Sequence, residues 1–540
     1  MIRRILCALG VVVLLLAGIS TSAIAKELVI LHTNDTHSNL FPFGPQDQYG
    51  GIARMSTLIK KLRSENENVL ALHAGDAFVG TFAFNKYLGY PELKIMEGLY
   101  DAMALGNHEF DLGPVALSYI LAGINPITTQ HLGDPVSLPI LGANVNVGSV
   151  PLLGTFVRPA MIKEIDGVIV GLFGVVTNDP VYYSPAFAGM FGDPYVAAGL
   201  AAVDLRSRGC EVVIAVSHLG LAFDMLGLSK VPGIDVIVSS HSHDEFFAPN
   251  INGKIITQAG AFGKNLGELR IEVDDTSGAV RVKSHVVHPI TRAIHEDPEL
   301  LPYLNTPRTG IYTDARYGPV YSQHVAKALW DLEEEWLVGD PHRQPSHRDT
   351  PLGNLVADAI RKGVAKAGYP VDLALEANGY IGHKIYEGKV VGNDVMMAVP
   401  YGYDPASGLG FKLKTVFLYG IELLQGLEYT VHIAEFADDL SLQVSGLTFA
   451  YNSKLAPFNR VDPTSVRING QPLNLYGSYR IALNEKLLEV LAGLGLNLAG
   501  RVVHPSPDLF EFNVVKEYMN GLNHLRYTSE GRIIDTAPVP

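Results

Sequence analysis

Five short stretches of the chain gather oxygen and imidazole-nitrogen side chains where apolar runs stop. "HTNDTH" carries Asp35 and His37, "HAGD" carries Asp76, and "LGNHEFD" carries Asn107, His108, Glu109 and Asp111. "SHLG" then brings His218, and "SSHSH" brings His241 and His243. Carboxylate, amide and imidazole ligands without a thiolate suit divalent ions such as Zn²⁺, Mn²⁺, Fe²⁺ or Mg²⁺. A two-ion centre needs a bridging carboxylate and about three further ligands per ion, and this set supplies them. Taken singly, each stretch has an ordinary use: an Asp-x-His loop, Asn107 as a helix cap, a solvated "SHSH". The ordered recurrence at successive strand ends is what points to a metal centre.

The elements that must hold these residues are legible in the apolar pattern. "ELVILHTND", "VLALHAGD", "VIVGLFGVV", "EVVIAVSHLG" and "IDVIVSSHSH" read as buried strands, and "GGIARMSTLIKKLRSE" as a helix. Polar residues at the C-terminal ends of such runs are the usual ligand position in layered α/β folds. This organisation runs to about residue 295. A Pro-, Gly- and Tyr-rich segment follows, then "HVAKALWDLEEEWLVG", which predicts an amphipathic connecting helix, and "DPHRQPSHRD", which predicts a linker. A second domain opens with the helix "TPLGNLVADAIRKGVAKAGY". The expected division is 1–25 leader, 26–295 first domain, 296–345 linker with connecting helix, and 346–540 second domain.

Length and charge set the outer bounds. A chain of 540 residues exceeds one ordinary core. The net charge of −14 disfavours a nucleic-acid polymer or an anionic membrane as partner. "MIRRILCALGVVVLLLAGISTSAIAKE" has a basic start, an apolar run and small residues at Ala23 and Ala25, the form of a secretory signal cleaved after Ala25. Its apolar run is short for a stable membrane span. Export to the periplasm or the medium is therefore expected. Cleavage removes Cys7 and leaves Cys210, so no intrachain disulfide can form.

The order D-x-H, G-D, G-N-H-E-x-x-D, S-H and H-x-H resembles the calcineurin-like metallophosphoesterases. "ILHTNDTHSNL", "GGIARMSTLIKKLR" and "TQAGAFGKNLGEL" narrow this to a resemblance with the secreted bacterial 5′-nucleotidase family, strong in the first domain and looser in the second. The resemblance implies an α/β fold: a four-layer α/β/β/α sandwich followed by a mixed α/β substrate-specificity domain. It assigns one divalent ion to Asp35, His37 and His243, the other to Asn107, His218 and His241, and makes Asp76 the bridge. It also assigns catalysis to His108 and Asp111, whose i, i+3 spacing lets carboxylate meet imidazole on a helical turn. Glu109 is read as structural or as support behind the ligands. Ser240 stands where glycine is usual.

In the second domain, "EANGYIGHK" and "VPYGYD" align with the family's substrate-binding motifs. Asn378 and Gly379 match, and Tyr401 replaces a stacking phenylalanine. Tyr403 replaces an asparagine, Tyr380 stands where a small residue is usual, and Gly382 falls where an arginine is expected. His383 or Lys384 is then the candidate for positive charge, though neither offers arginine's planar fork. The late glycine-rich motif carrying a second aromatic is missing. The expected activity is metal-dependent hydrolysis of small phosphate esters, above all nucleotides or their derivatives. The alternatives are cyclic nucleotides, sugar nucleotides or sulfur esters as substrates, or a non-catalytic metal-dependent anion binder.

Overall fold

The computed structural model describes residues 26–537 apart from 180–181, 185–186, 188, 275–276, 335–347 and 435–437. The expected leader, 1–25, lies outside the described residues.

Two sheets pack face to face in the first part of the chain. One has seven strands in the order Val280–Pro289, Asn265–Val273, Lys26–Thr33, Val69–His73, Ala102–Ala104, Ile140–Leu141, Val157–Arg158. The other has six, in the order Glu245–Ile251, Lys254–Ala259, Val236–Val238, Val212–His218, Val168–Val176, Ala160–Ile165. The period of two in the strands explains the layering. Leu28, Ile30, Leu70 and Leu72 face Val212, Ile214 and Val216 across the sandwich. The alternate residues Val29, Leu31, Val69 and Ala71 face outward onto Ala53, Met55, Ile59 and Leu62 of the helix Ile52–Glu65. On the far side, Val213 and Ala215 meet Ala198, Ala202 and Leu205 of the helix Pro194–Ser207. Strands buried on both faces must be apolar throughout, and the result is the four-layer α/β/β/α sandwich.

The central strands of each sheet run parallel: Val29 to Thr33 beside Val69 to His73, and Val170 to Val176 beside Val212 to His218. Their C-terminal ends therefore emerge at one edge, which is where all the expected ligands sit.

The second part of the chain has a five-stranded sheet, Leu442–Ser445, Leu373–Ala377, Ser478–Asn484, Leu413–Tyr419, Val502–Val503, with the helix Pro351–Lys366 against it. One expectation fails here. Residues 324–328 are not the start of a connecting helix but a strand, His324–Ala328, paired with Gly388–Val391 and His524–Leu525. The pairing buries Val325, Ala326 and Ala328, and this tertiary gain overrides the helical pattern. The helix of this region lies earlier, at Leu301–Thr313, in the segment whose prolines and glycines hid it. The end of the expected helix and most of the linker, 335–347, lie outside the described residues.

Candidate metal centre and cavity

The strand ends place the ligand atoms in two groups, Asp35 with His37 and His243, and Asp76 with His218 and His241, each within 4.8 Å. Five of these residues, Asp35, His37, Asp76, His241 and His243, hold left-handed backbone with φ between 46° and 74°. Non-glycine residues avoid that region, so its repetition at one site marks geometry imposed by function. Gly106 permits the closest approach: a Cβ there would lie 2.1 Å from Asp76 Oδ1.

Hydrogen bonds aim the rings. His218 Nδ1 lies 2.8 Å from the Ala74 carbonyl and His37 Nδ1 lies 3.2 Å from that of Phe78, so Nδ1 carries the proton and Nε2 presents its lone pair inward. Ser240 fits where glycine is usual, its hydroxyl donating to the Ala74 or Ser217 carbonyl at 2.6 and 2.7 Å. Asp35 Oδ2 accepts from the His241 amide at 3.0 Å, which ties the two sheets together across the centre.

The donor set fits divalent ions. Asp35 Oδ1 and Asn107 Oδ1 are buried with no hydrogen-bond partner, a costly state that a cation relieves. His37 Nε2 and His243 Nε2 face each other at 3.1 Å, two lone-pair positions converging on one point. Burial pulls His37 down to about 4 and His241 to about 3, so both are neutral at pH 7, the form that ligates. Against burial, Asp76 at 3.0 Å raises His218 to about 10, a proton that a cation there would displace.

Beside this centre, His108 Nδ1 lies 3.0 Å from Asp111 Oδ2, and its amide donates to Asp76 Oδ1 at 2.9 Å. Burial disfavours its charge, but Asp111 and Asp76 outweigh burial and lift it to about 9. Glu109, which sequence alone left open, has a plain role. Its carboxylate accepts from four backbone amides, those of Asp76, Ala77, Phe78 and Gly106, at 2.6–3.2 Å. It staples the Asp76 loop to the Asn107 loop. A carboxylate receiving several N–H bonds within three residues of a ligand was the signal available, but the sequence does not show which amides face it.

The centre floors a cavity of about 890 Å³ whose opposite wall comes from the second part of the chain. Asn378, Gly379, Tyr401 and Tyr403 line it as expected. Tyr401 stacks on the His108 ring at 4.8 Å and 20°. His383 does not line it. It is buried among Phe43, Phe262 and Tyr386, and burial holds it neutral. Lys384 is committed to Asp331 and Glu333, each at 3.0 Å. Neither replaces the expected arginine, because both point into the junction between the domains. The cations that do line the cavity are Arg348 and Lys486, and further aromatic surface comes from Tyr182, Tyr380 and Phe411. Of these only Tyr380 falls in a stretch singled out from the sequence as substrate-binding; Tyr182, Arg348, Phe411 and Lys486 come from separate segments, Lys486 from the helix Glu485–Gly493. Tyr182 also hydrogen-bonds Asp439 across the cavity.

Comparison with known proteins agrees with this geometry. Residues 28–245 match the calcineurin-like phosphoesterase family, and residues 335–490 match the 5′-nucleotidase C-terminal domain. The chain thus carries a calcineurin-like phosphoesterase domain followed by a 5′-nucleotidase C-terminal domain. Snake venom 5′-nucleotidase of Naja atra is 28% identical over 557 residues, 95% of this chain and 99% of that protein. The trifunctional nucleotide phosphoesterase YfkN of Bacillus subtilis (strain 168) is 29% identical over 489 residues, 85% of this chain but 31% of that longer protein. The crystal structure of a 5′-nucleotidase precursor from Thermus thermophilus superposes with a TM-score of 0.79 at 27% identity, covering 95% of this chain and 100% of that one. With that phosphoesterase domain and 5′-nucleotidases among its relatives, the protein is a phosphoric ester hydrolase. Members work with two divalent metals, and the two ligand groups provide for two.

Proposed function

We propose that the protein hydrolyses phosphate esters of nucleotides or closely related molecules, with the metal centre as its catalytic site. The observation that carries this is the placement of that centre, with the His108–Asp111 pair, at the floor of a cavity walled on the far side by aromatic residues of the second domain.

Asp35, His37 and His243 would hold one ion, Asn107, His218 and His241 the other, and Asp76 would bridge them. When bound, two such ions supply positive charge to phosphoryl oxygens and make water a stronger nucleophile at neutral pH. The remaining work belongs to the chain. Asp111 fixes the His108 ring through Nδ1, which leaves Nε2 to donate to a phosphoryl or leaving oxygen. Tyr401, stacked on that ring, limits its rotation and keeps water from its face. Glu109 holds the two ligand loops in register. Asn378 offers an amide to polar groups of the alcohol that leaves, and Tyr380, Tyr401, Tyr403 and Phe411 offer faces for a planar base. The catalytic domain would run from 26 to about 295, and the substrate domain would join 346–540 to the strand His324–Ala328. The N-terminal 25 residues support export, which would place the activity outside the cytoplasm.

Purified protein with Mn²⁺ or Zn²⁺, offered p-nitrophenyl phosphate, nucleoside monophosphates, cyclic nucleotides and sugar nucleotides, should turn over at least the first two. Binding of these compounds without turnover of any would leave an anion binder and overturn the proposal.

A further inference from the structure

The helix Leu221–Leu226 is amphipathic the wrong way round. Five of its six residues are apolar, yet Phe223 and Leu226 are 39% and 58% exposed. Its one charged residue, Asp224, is fully buried and accepts from Ser217 Oγ at 2.6 Å. A surface helix ordinarily does the reverse. Here the buried carboxylate fastens the helix to the strand that ends in His218, and the apolar side chains turn outward.

What they face is the catalytic cavity. Leu221, Phe223, Met225 and Leu226 line it together with His241, and Phe187 and Leu112 extend the same wall. The helix is anchored at the metal centre: a Cβ on Gly220 would lie 3.4 Å from the His241 ring and 3.7 Å from Phe223, and the Leu221 amide donates to Ser242 Oγ at 3.1 Å. A neighbouring helix is also apolar on its exposed side. Tyr195 of the helix Pro194–Ser207 donates to the Phe223 carbonyl at 3.5 Å, and that helix exposes Val196, Leu200 and Val203 as one stripe, Leu200 at 70%. Single exposed apolar residues need no explanation, but the cluster Leu221, Phe223, Met225 and Leu226 inside a catalytic cavity marks a binding surface.

We propose that this face binds an alkyl chain of the substrate, so that the enzyme accepts amphiphilic phosphodiesters. One ester group would lie against the second domain and the aliphatic one along Leu221–Leu226. The proposal rests on the phosphoesterase assignment of the centre. Between residues 219 and 226 the only charge is the inward-turned Asp224, so a second phosphate would find no cationic partner on this segment. Each methylene laid fully against such a wall strengthens binding about fourfold.

p-Nitrophenyl methyl, butyl and octyl phosphates, used as monomers in solution, test this. Water's oxygen bonds to phosphorus, the bond to the aryl oxygen breaks, and p-nitrophenolate, alkyl phosphate and one proton are released. From methyl to octyl, kcat/KM should rise about tenfold or more. Leu226→Ser and Phe223→Ser should flatten the rise, with p-nitrophenyl phosphate as the reference for an intact centre. A flat profile in the wild-type protein overturns the proposal, as does an undiminished rise in both variants. A flat profile accompanied by a dimer that Leu200→Ser dissociates would assign the face to a second copy of the chain instead. Failure on p-nitrophenyl phosphate itself would overturn the phosphoesterase assignment and this proposal with it.

Discussion

His108 is held from two directions, by Asp111 on Nδ1 and by the flat contact with Tyr401, while its own amide is bonded to Asp76. Under the proposed mechanism, removing the ring would take away a proton donor without removing a ligand. His108→Ala should therefore lower kcat by about 10²–10⁴-fold with metal content unchanged, as measured by turnover and elemental analysis together. Loss of metal in that variant would show that the ring serves the centre's assembly instead. The gathering of Asp35, His37, Asp76, Asn107, His108, His218, His241 and His243 at one edge was legible in the sequence, because chelation and proton transfer call for particular side chains and these recur at successive strand ends. Glu109 was legible only as a supporting residue, because which four amides it holds is not seen until the loops are folded. His383 misled for the converse reason: position in a motif does not reveal that a ring is packed among Phe43, Phe262 and Tyr386.

Elements were legible where one physical demand dominated. The strands Lys26–Thr33 and Val212–His218 are apolar on both faces because a sheet and a helix layer cover them, and so they stand out. His324–Ala328 did not, because its strand conformation depends on partners 60 or more residues away. A similar long-range meeting carries a prediction. Glu376, at the end of Leu373–Ala377, accepts from Asn484 Nδ2 at 2.7 Å and faces Glu511 at the start of Glu511–Leu522. Burial and the mutual repulsion of the pair push Glu376 well up, and burial lifts Glu511 to about 8. The folded state thus keeps a proton on Glu511 that the unfolded chain releases near 4.5. The native state binds more protons between those values, so its contribution to stability falls as pH rises from about 4.5 to about 8, by up to about 1.4 kcal/mol per unit. Glu511→Gln should gain stability relative to the wild-type protein over that window, as read from urea midpoints at pH 5 and pH 8. Parallel profiles would show that the pair is not held protonated.

At the scale of the whole molecule, neither half of the chain makes the site alone. The first sandwich brings ligands from both of its sheets to one edge, and the second domain closes over them through Tyr182 to Asp439, Lys486 to the Tyr183 carbonyl, and Asn85 to the Gly408 carbonyl. The catalytic half was readable from spacing because metal geometry is demanding. The far wall of the cavity was readable only in part, because Tyr182, Arg348, Phe411 and Lys486 converge through tertiary folding from unrelated segments. Titration of the metal-stripped protein with Mn²⁺, following p-nitrophenyl phosphate hydrolysis, tests the two-sheet centre most directly. Activity should be absent without metal and should reach its plateau at two ions bound per chain. Full activity in the presence of a chelator, or a plateau at a single ion, would contradict a dinuclear centre bridged by Asp76.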